Sequence, residues 1–184
     1  LYVDVRDGPD RSYTFRQLRN DSNRLANYFR SRGIEQGDRI AVGGAQRVET
    51  LLSHLAAWKL GATSVPVSSL LGSEGLRYRV ADCNAVAHVV DGDGIDTHRE
   101  VVDQVDSLAT RVLMGAVDPG AGEVAFWDAL EGHSRQFDTV QTGPEDDFEI
   151  IYTSGTTGDP KGVRHAHEYV LGLLPSVVTG HRNM

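Results

Sequence analysis

The sequence predicts an α/β fold, a mostly parallel sheet with covering helices. Short apolar runs alternate with helix-period segments at βαβ spacing, as in Asp38–Val42, Val48–Leu60 and Ala62–Val67. The helical patterns also carry their own boundaries. Thr14 with Gln17 forms a capping box, and Gly33 and Gly61 fall just past the last apolar positions. No internal repeat, heptad or low-complexity tract competes with this reading.

Taken in order, Leu1–Val5 and Ser12–Thr14 flank the polar turn Asp7-Gly8-Pro9-Asp10 and predict a hairpin. Leu18, Leu25, Ala26 and Phe29 recur at helical spacing after Thr14. A strand at Asp38–Val42 leads to a helix over Val48–Leu60, whose apolar face holds Leu51, Leu52, Leu55 and Trp58. Ala62–Val67 is a strand, bent or at an edge because of Pro66. A short helix from Ser73 to Cys83 precedes a buried strand at Val86–Val90 and the turn Asp91-Gly92-Asp93-Gly94. Thr97 and Glu100 read as a capping box for a helix reaching about Leu108, followed by a strand at Arg111–Met114. Ala116–Gly122 is a loop, Phe126–Leu130 a helical turn, and Ser134–Asp147 irregular. Strands at Glu149–Thr153 and Val163–His165 then bracket a glycine-rich loop. A last helix, from His167 to about Val178, is expected to be broken or kinked at Pro175.

With 184 residues the chain can form one domain with a real core, or part of a larger one. It begins inside a strand without a methionine and stops without a polar tail, so both ends read as cuts in a longer polypeptide. No apolar run reaches the length of a membrane span and no leader is visible, so the expected location is a soluble, cytoplasmic one. The single cysteine, Cys83, excludes an internal disulfide, fits a reducing compartment and reads as a buried apolar residue. A net charge of -8 without a basic stripe argues against nucleic acid as a partner. Lysine occurs only at Lys59 and Lys161, every other cation is arginine, and Asp outnumbers Glu. Adaptation to a salt-rich cytoplasm and codon bias in a GC-rich genome both account for that pattern.

The densest chemistry lies in Tyr152-Thr153-Ser154-Gly155-Thr156-Thr157-Gly158-Asp159-Pro160-Lys161-Gly162-Val163. Four hydroxyls, three glycines and one lysine fall within the ten residues from Thr153 to Gly162. Glycines let the backbone approach a ligand, hydroxyls and N–H groups line a polyanion, and Lys161 adds the charge a phosphate needs. This is not a Walker A loop, because Pro160 stands where its Gly-Lys-Ser/Thr would begin. A mobile surface loop ending in a proline turn is the bland alternative. It leaves the strand leading in and the apolar element leading out without a purpose.

The string resembles the phosphate-loop signature of the adenylate-forming, or AMP-binding, superfamily: acyl-CoA synthetases, adenylation domains of peptide synthetases, and luciferases. The resemblance continues upstream through Ser12-Tyr13-Thr14-Phe15, Ser22-Asn23-Arg24-Leu25-Ala26, Gly37-Asp38-Arg39-Ile40-Ala41-Val42 and Leu55-Ala56-Ala57-Trp58-Lys59-Leu60-Gly61-Ala62. Leu76-Arg77-Tyr78-Arg79 and Asp82 fit the helix that follows. It implies that residues 1–184 are the N-terminal portion of the large N-terminal domain of an AMP-forming acyl-CoA synthetase. The rest of that domain and a small C-terminal domain bearing a catalytic lysine are expected elsewhere.

The same resemblance implies ATP with Mg²⁺, a short- or medium-chain carboxylate, and coenzyme A as co-substrate. Within the loop it gives Thr153, Ser154, Thr156 and Thr157 hydroxyl contacts to the β- and γ-phosphates, and Gly155 and Gly158 backbone contacts. Lys161 is implied as the catalytic charge; no metal ligand is implied within these residues, and the acidic residue for the metal is implied in later segments. The sequence departs from the family at Ala166-His167, where Thr-His is common, so His167 is read as a packing or capping residue. Lys59 is read as a solvent-facing charge on a scaffold helix. A peptide-synthetase adenylation domain and a non-catalytic nucleotide-binding or interaction module remain open as alternatives. The chain alone is expected to be inactive, and to self-associate through an open sheet edge or apolar face.

Overall fold

A computed structural model of the chain describes residues 2–3, 11–154 and 158–180, with side chains between 12 and 173. An antiparallel pair, β1 (Tyr2–Val3) and β2 (Arg11–Ser12), precedes α1 (Phe15–Ser31), β3 (Arg39–Gly43), α2 (Val48–Leu60) and β4 (Thr63–Val67). The chain continues through α3 (Ser73–Asp82), β5 (Ala87–Asp91), α4 (Ile95–Val101), β6 (Thr110–Met114), β7 (Glu123–Ala125) and α5 (Phe126–Ala129). It ends in β8 (Asp147–Thr153), β9 (Lys161–Ala166) and α6 (His167–Gly180). Single 3₁₀ turns, Gly92–Gly94 and Val102–Gln104, flank α4.

Seven strands make one sheet in the order β7-β6-β5-β3-β4-β8-β9. All neighbours are parallel except β8 and β9. Successive side chains on a strand point to opposite faces, so each strand feeds two cores. Ile40 and Val42 of β3, with Ala87 and Val89 of β5, pack against Leu25 and Phe29 of α1 and Leu52 and Ala56 of α2. Ala41, Val65 and Val67 face the other way, toward Leu76 and Val80 of α3 and Val101 of α4. The sheet is therefore covered on both faces, as its apolar strands require.

Local chemistry explains the helix boundaries. Thr14 Oγ1 accepts from the Gln17 N–H at 3.2 Å, and Gln17 Oε1 accepts from the Thr14 N–H at 2.8 Å, completing the capping box. Gly33 and Gly61 follow α1 and α2 in the left-handed region, as their positions suggested. The pair Tyr2↔Ser12 and Val3↔Arg11 bears out the N-terminal hairpin, whose turn lies outside the described residues.

Several expectations need correction. Thr97 does not cap a helix. It sits inside α4, which starts at Ile95 behind the 3₁₀ turn and ends at Val101. The loop after β6 closes into β7, a three-residue strand that the glycine-rich composition around it concealed. Pro66 does not mark a sheet edge. It lies on interior β4, beyond Ser64↔Glu149, the register pair with β8, so its missing N–H interrupts no ladder there. Helix α6 is one uninterrupted run through Pro175.

Lys59 is not a solvent-facing charge. Its ammonium is half-buried and donates to Ser22 Oγ and Asn23 Oδ1 at 2.7 Å each, and to the Arg19 carbonyl at 3.2 Å, tying α2 to α1. Burial, and then the nearby Arg19 charge, lower its pKa. Cys83 is a buried free thiol whose pKa burial raises, as expected of a packing residue rather than a nucleophile.

The strand sequence β4-β3-β5-β6-β7 reverses direction between β3 and β5, the switch point where doubly wound sheets commonly hold ligands. Here Asp91, whose side chain is 2% exposed, fills that crevice. Its Oδ2 accepts from Arg47 Nε at 2.9 Å and from the Ala45 N–H at 3.2 Å. The contact is close enough that a Cβ on Gly44 would lie 2.6 Å from Met114 Cε and 3.1 Å from Asp91 Cβ. Asp91→Ala strands Arg47 and the Ala45 N–H beside a cavity, and should lower the free energy of unfolding by about 3 kcal/mol, measured by urea titration.

Candidate functional site

Strands β8 and β9 form an antiparallel hairpin at one edge of the sheet, with Tyr152 opposite Gly162 and Thr153 opposite Lys161. The glycine-rich loop is therefore the hairpin's connection, and Thr153 and Lys161 stand face to face at its mouth. Thr153, Ser154, Gly158 and Lys161 are exposed. Gly155, Thr156 and Thr157, the other expected phosphate contacts, lie outside the described residues. Gly158 has φ +95°, a left-handed value that disfavours a side chain, although a Cβ there would meet nothing within 4 Å. Backbone geometry, rather than lack of space, calls for glycine at this turn. Among the described residues no carboxylate forms an ion pair with Lys161, which leaves its ammonium available to an anion.

The strand leading into the loop is held by side chains from both faces. Tyr152 Oη donates to Asp82 Oδ2 of α3 at 2.5 Å, and its ring meets Tyr78 edge-on with centroids 6.5 Å apart. Burial and then the Asp82 carboxylate push the phenol pKa well above its ordinary value, so this hydroxyl stays a proton donor. Opposite it, a Cβ on Gly162 would lie 3.0 Å from Ile150 Cγ2 and 3.2 Å from Tyr152 Cζ, so glycine lets the two strands close on that ring.

On the other face, the Trp58 indole of α2 stacks on Phe148 with centroids 4.2 Å apart and donates its Nε1–H to the Phe148 carbonyl at 3.0 Å. Phe148 would share a face with Ile150 and Tyr152 in a regular strand. A β-bulge between Asp147 and Glu149 turns it toward α2 instead. His167, the first residue of α6, packs edge-on against Phe148 at 5.4 Å, and its N–H donates to the Asp146 carbonyl at 3.0 Å. The packing role read for His167 is thus borne out. Arg164 closes the base of the hairpin on Asp147, with Nε and Nη2 2.8–2.9 Å from its carboxylate oxygens.

Sequence reasoning assigned the loop but not its supports. Asp82 and Tyr152 were visible as motif residues with no partner to connect them. Trp58 read as one more apolar position on α2, and its indole N–H was the only signal of a polar task. Among the described residues no cluster of three or more His, Cys, Asp or Glu side chains could hold a metal ion. Nor, among them, is any helix long and apolar enough to cross a membrane.

A mostly parallel sheet thus carries a hydroxyl-, glycine- and lysine-bearing hairpin at its antiparallel edge. The sequence profile of the AMP-binding enzyme family matches residues 2–183, and the chain belongs to that family. It is 29% identical over 162 residues to a 3-hydroxybenzoate/4-hydroxybenzoate–CoA ligase from Thauera aromatica, covering 88% of this chain and 31% of the relative. It is 32% identical to an acetyl-coenzyme A synthetase from Xanthobacter autotrophicus, covering 92% of this chain and 30% of the relative. A crystal structure of an anthranilate–CoA ligase in complex with anthranoyl-AMP superposes with a TM-score of 0.82 at 29% identity, covering 86% of this chain and 30% of that one. The chain thus spans about 30% of the length of these relatives.

Removing the indole N–H while keeping a ring tests the support of the loop. Trp58→Phe should lower stability by about 1–2 kcal/mol through the unpaired Phe148 carbonyl and lost stacking. Amide exchange should rise selectively in β8 relative to β3, as read by mass spectrometry.

Proposed function

We propose that the protein containing this chain activates a carboxylic acid as its acyl-adenylate and passes the acyl group to coenzyme A. On this reading residues 1–184 supply the N-terminal part of the adenylating domain, including its phosphate grip. The observation that carries the reading is the β8–β9 hairpin: Lys161 lies opposite Thr153 at the mouth of an exposed Ser/Thr/Gly loop, without an acidic partner among the described residues. Relatives named as CoA ligases, and a fold shared with a ligase holding an acyl-AMP, support the chemistry.

In such a reaction the carboxylate attacks the α-phosphorus of Mg-ATP, pyrophosphate leaves, and the thiol of coenzyme A then displaces AMP. A carboxylate is a weak nucleophile repelled by phosphate oxygens, so orienting and neutralising the triphosphate supplies much of the rate. The hydroxyls of Thr153, Ser154, Thr156 and Thr157 and the backbone N–H groups of Gly155 and Gly158 hold the β- and γ-phosphates. Lys161 offsets the charge that accumulates on the leaving pyrophosphate. The described residues fit this task in one testable respect: the exposed ammonium and hydroxyls face each other across the hairpin mouth and no carboxylate is spent on them. Mg²⁺ enters as part of the nucleotide complex.

On this reading the acid is a short- or medium-chain one of fatty acid metabolism, although the relatives are named for acids from acetate to aromatic, sterol and long-chain ones. A buried, unpaired Cys83 supports a reducing cytoplasm as the place of action. The adenylating steps need residues beyond this chain, so it should show no turnover alone. Val163, Leu171 and Leu173 leave an apolar surface beside edge strand β9 that favours self-association of the isolated chain.

Lys161→Ala in the full-length protein should lower carboxylate-dependent exchange of labelled pyrophosphate into ATP by about 100-fold. An unchanged exchange rate would remove Lys161 from the reaction. Absence of exchange with every acid, from a folded protein that binds Mg-ATP, would favour a nucleotide-binding module. Light scattering on the isolated chain should report species larger than a monomer at both low and high salt, and a monodisperse monomer would contradict the exposed-face argument.

A further inference from the structure

On the α3–α4 face of the sheet, two histidines are buried together. His88 of β5 is 2% exposed and His98 of α4 is 1% exposed. Their Nδ1 atoms lie 2.9 Å apart, with ring planes inclined at 61°. A nitrogen–nitrogen contact of that length needs one proton between the atoms, so one ring donates Nδ1–H and the other accepts with a bare Nδ1. Among the described residues neither Nε2 has a hydrogen-bond partner.

The surroundings assign the tautomers. His98 Nε2 lies 3.9 Å from Glu123 Oε1, and Glu123 is itself held by Arg99 at 2.8 Å and by the Gly120 N–H at 2.6 Å. A proton on His98 Nε2 faces that carboxylate, so His98 accepts at Nδ1 and His88 donates. The bare Nε2 of His88 then points toward the carboxyl ends of β3 and β4. It would lie 3.1 Å from a Cβ on Gly43 and borders a cavity also lined by Ser68, Ser69 and Thr97. At about 10 Å³, that cavity holds no more than one water. No carboxylate lines it.

We propose that His88 and His98 form a proton-operated latch, which fastens α4 and its flanking 3₁₀ turns to the sheet when the pair is neutral and releases them when it is doubly protonated. One added proton goes to His88 Nε2 and leaves the Nδ1–Nδ1 bond intact, but places a charge where no anion faces it. A second must go to Nδ1, and two N–H groups then confront each other across 2.9 Å. The charged groups around the pair come from several elements: Arg99 of α4, Glu123 of β7, Arg111 of β6, and Asp103 of the following 3₁₀ turn. Glu123 and Asp103 favour a charged His98, while Arg99 and Arg111 oppose it. Burial outweighs all four.

The direction of the pH effect follows. Burial, and then the neighbouring His98, lower the His88 pKa to about 3, and burial lowers that of His98 to about 4. Released histidines titrate near 6.5, so the released state binds more protons below that pH. The latch is fully closed above pH 6.5 and weakens as pH falls toward 4.

Hydrogen exchange read by mass spectrometry at pH 7 and pH 5, corrected for the intrinsic rate, tests this directly. Protection over residues 92–104 should fall by about 30-fold for each histidine that titrates, while β3 and β4 keep theirs. His98→Gln retains a side chain able to pair with His88 Nδ1 and should leave only the single-histidine fall. Equal loss of protection in β3 and β4, no selective loss over residues 92–104, or an undiminished fall in His98→Gln would each overturn the latch.

Discussion

The placement of the glycine-rich loop depends on how β8 is attached, and that attachment centres on the Trp58 indole. Strand β8 shares one register pair, Ser64↔Glu149, with its parallel neighbour β4. So short a ladder leaves backbone pairing with little hold on the hairpin. The indole supplies stacking area on Phe148 and a hydrogen bond to its carbonyl. The bulge makes both possible by aiming Phe148 at α2 while Ile150 and Tyr152 stay on the α3 face. Tyr152 then fixes the other face through Asp82. Two helices on opposite sides of the sheet thereby clamp one strand, and the loop leaves that strand one residue beyond Thr153.

The same arrangement separates where the fold could bind from where its site lies. A sheet wound β4-β3-β5-β6-β7 offers a crevice between β3 and β5. Asp91, Arg47 and Met114 close it with protein groups, and the carboxylate takes the backbone N–H and guanidinium that an anionic ligand would need. The accessible hydroxyls and ammonium are displaced to the antiparallel edge hairpin, two strands away from β3.

Much of this was legible before any coordinates, and what was not has a physical reason. Helix α2, expected at about Val48 to Leu60, is found there because apolar period, Gly61 and the following strand all agree. The capping box at Thr14 was readable because both partners are local. Thr97 and Glu100 show the same local pattern but lie within α4, where the turn Gly92–Gly94 has already started the helix. Local motifs mislead when a neighbouring turn claims the start first. The loop residues were readable as a string, but Asp82 meets Tyr152 across 70 positions and Trp58 meets Phe148 across 90. Such contacts belong to topology. The histidine pair was equally hidden, since His88 interrupts an apolar strand without any local sign of a partner.

The two lysines bring these lines together. In a chain that uses arginine for every other cation, each lysine should occupy a place where a guanidinium fails. At Lys59 that reason is geometric. Three acceptors, Ser22 Oγ, Asn23 Oδ1 and the Arg19 carbonyl, converge on one half-buried nitrogen, which a compact ammonium with three donors satisfies. A planar guanidinium spreads its donors over a wider fork and cannot direct them to one point. Lys161 shows the opposite surroundings: exposed, opposite Thr153, and with no ion-pair partner among the described residues. An anionic ligand at Lys161, as proposed above, would give the retained point charge the partner that the described residues do not supply.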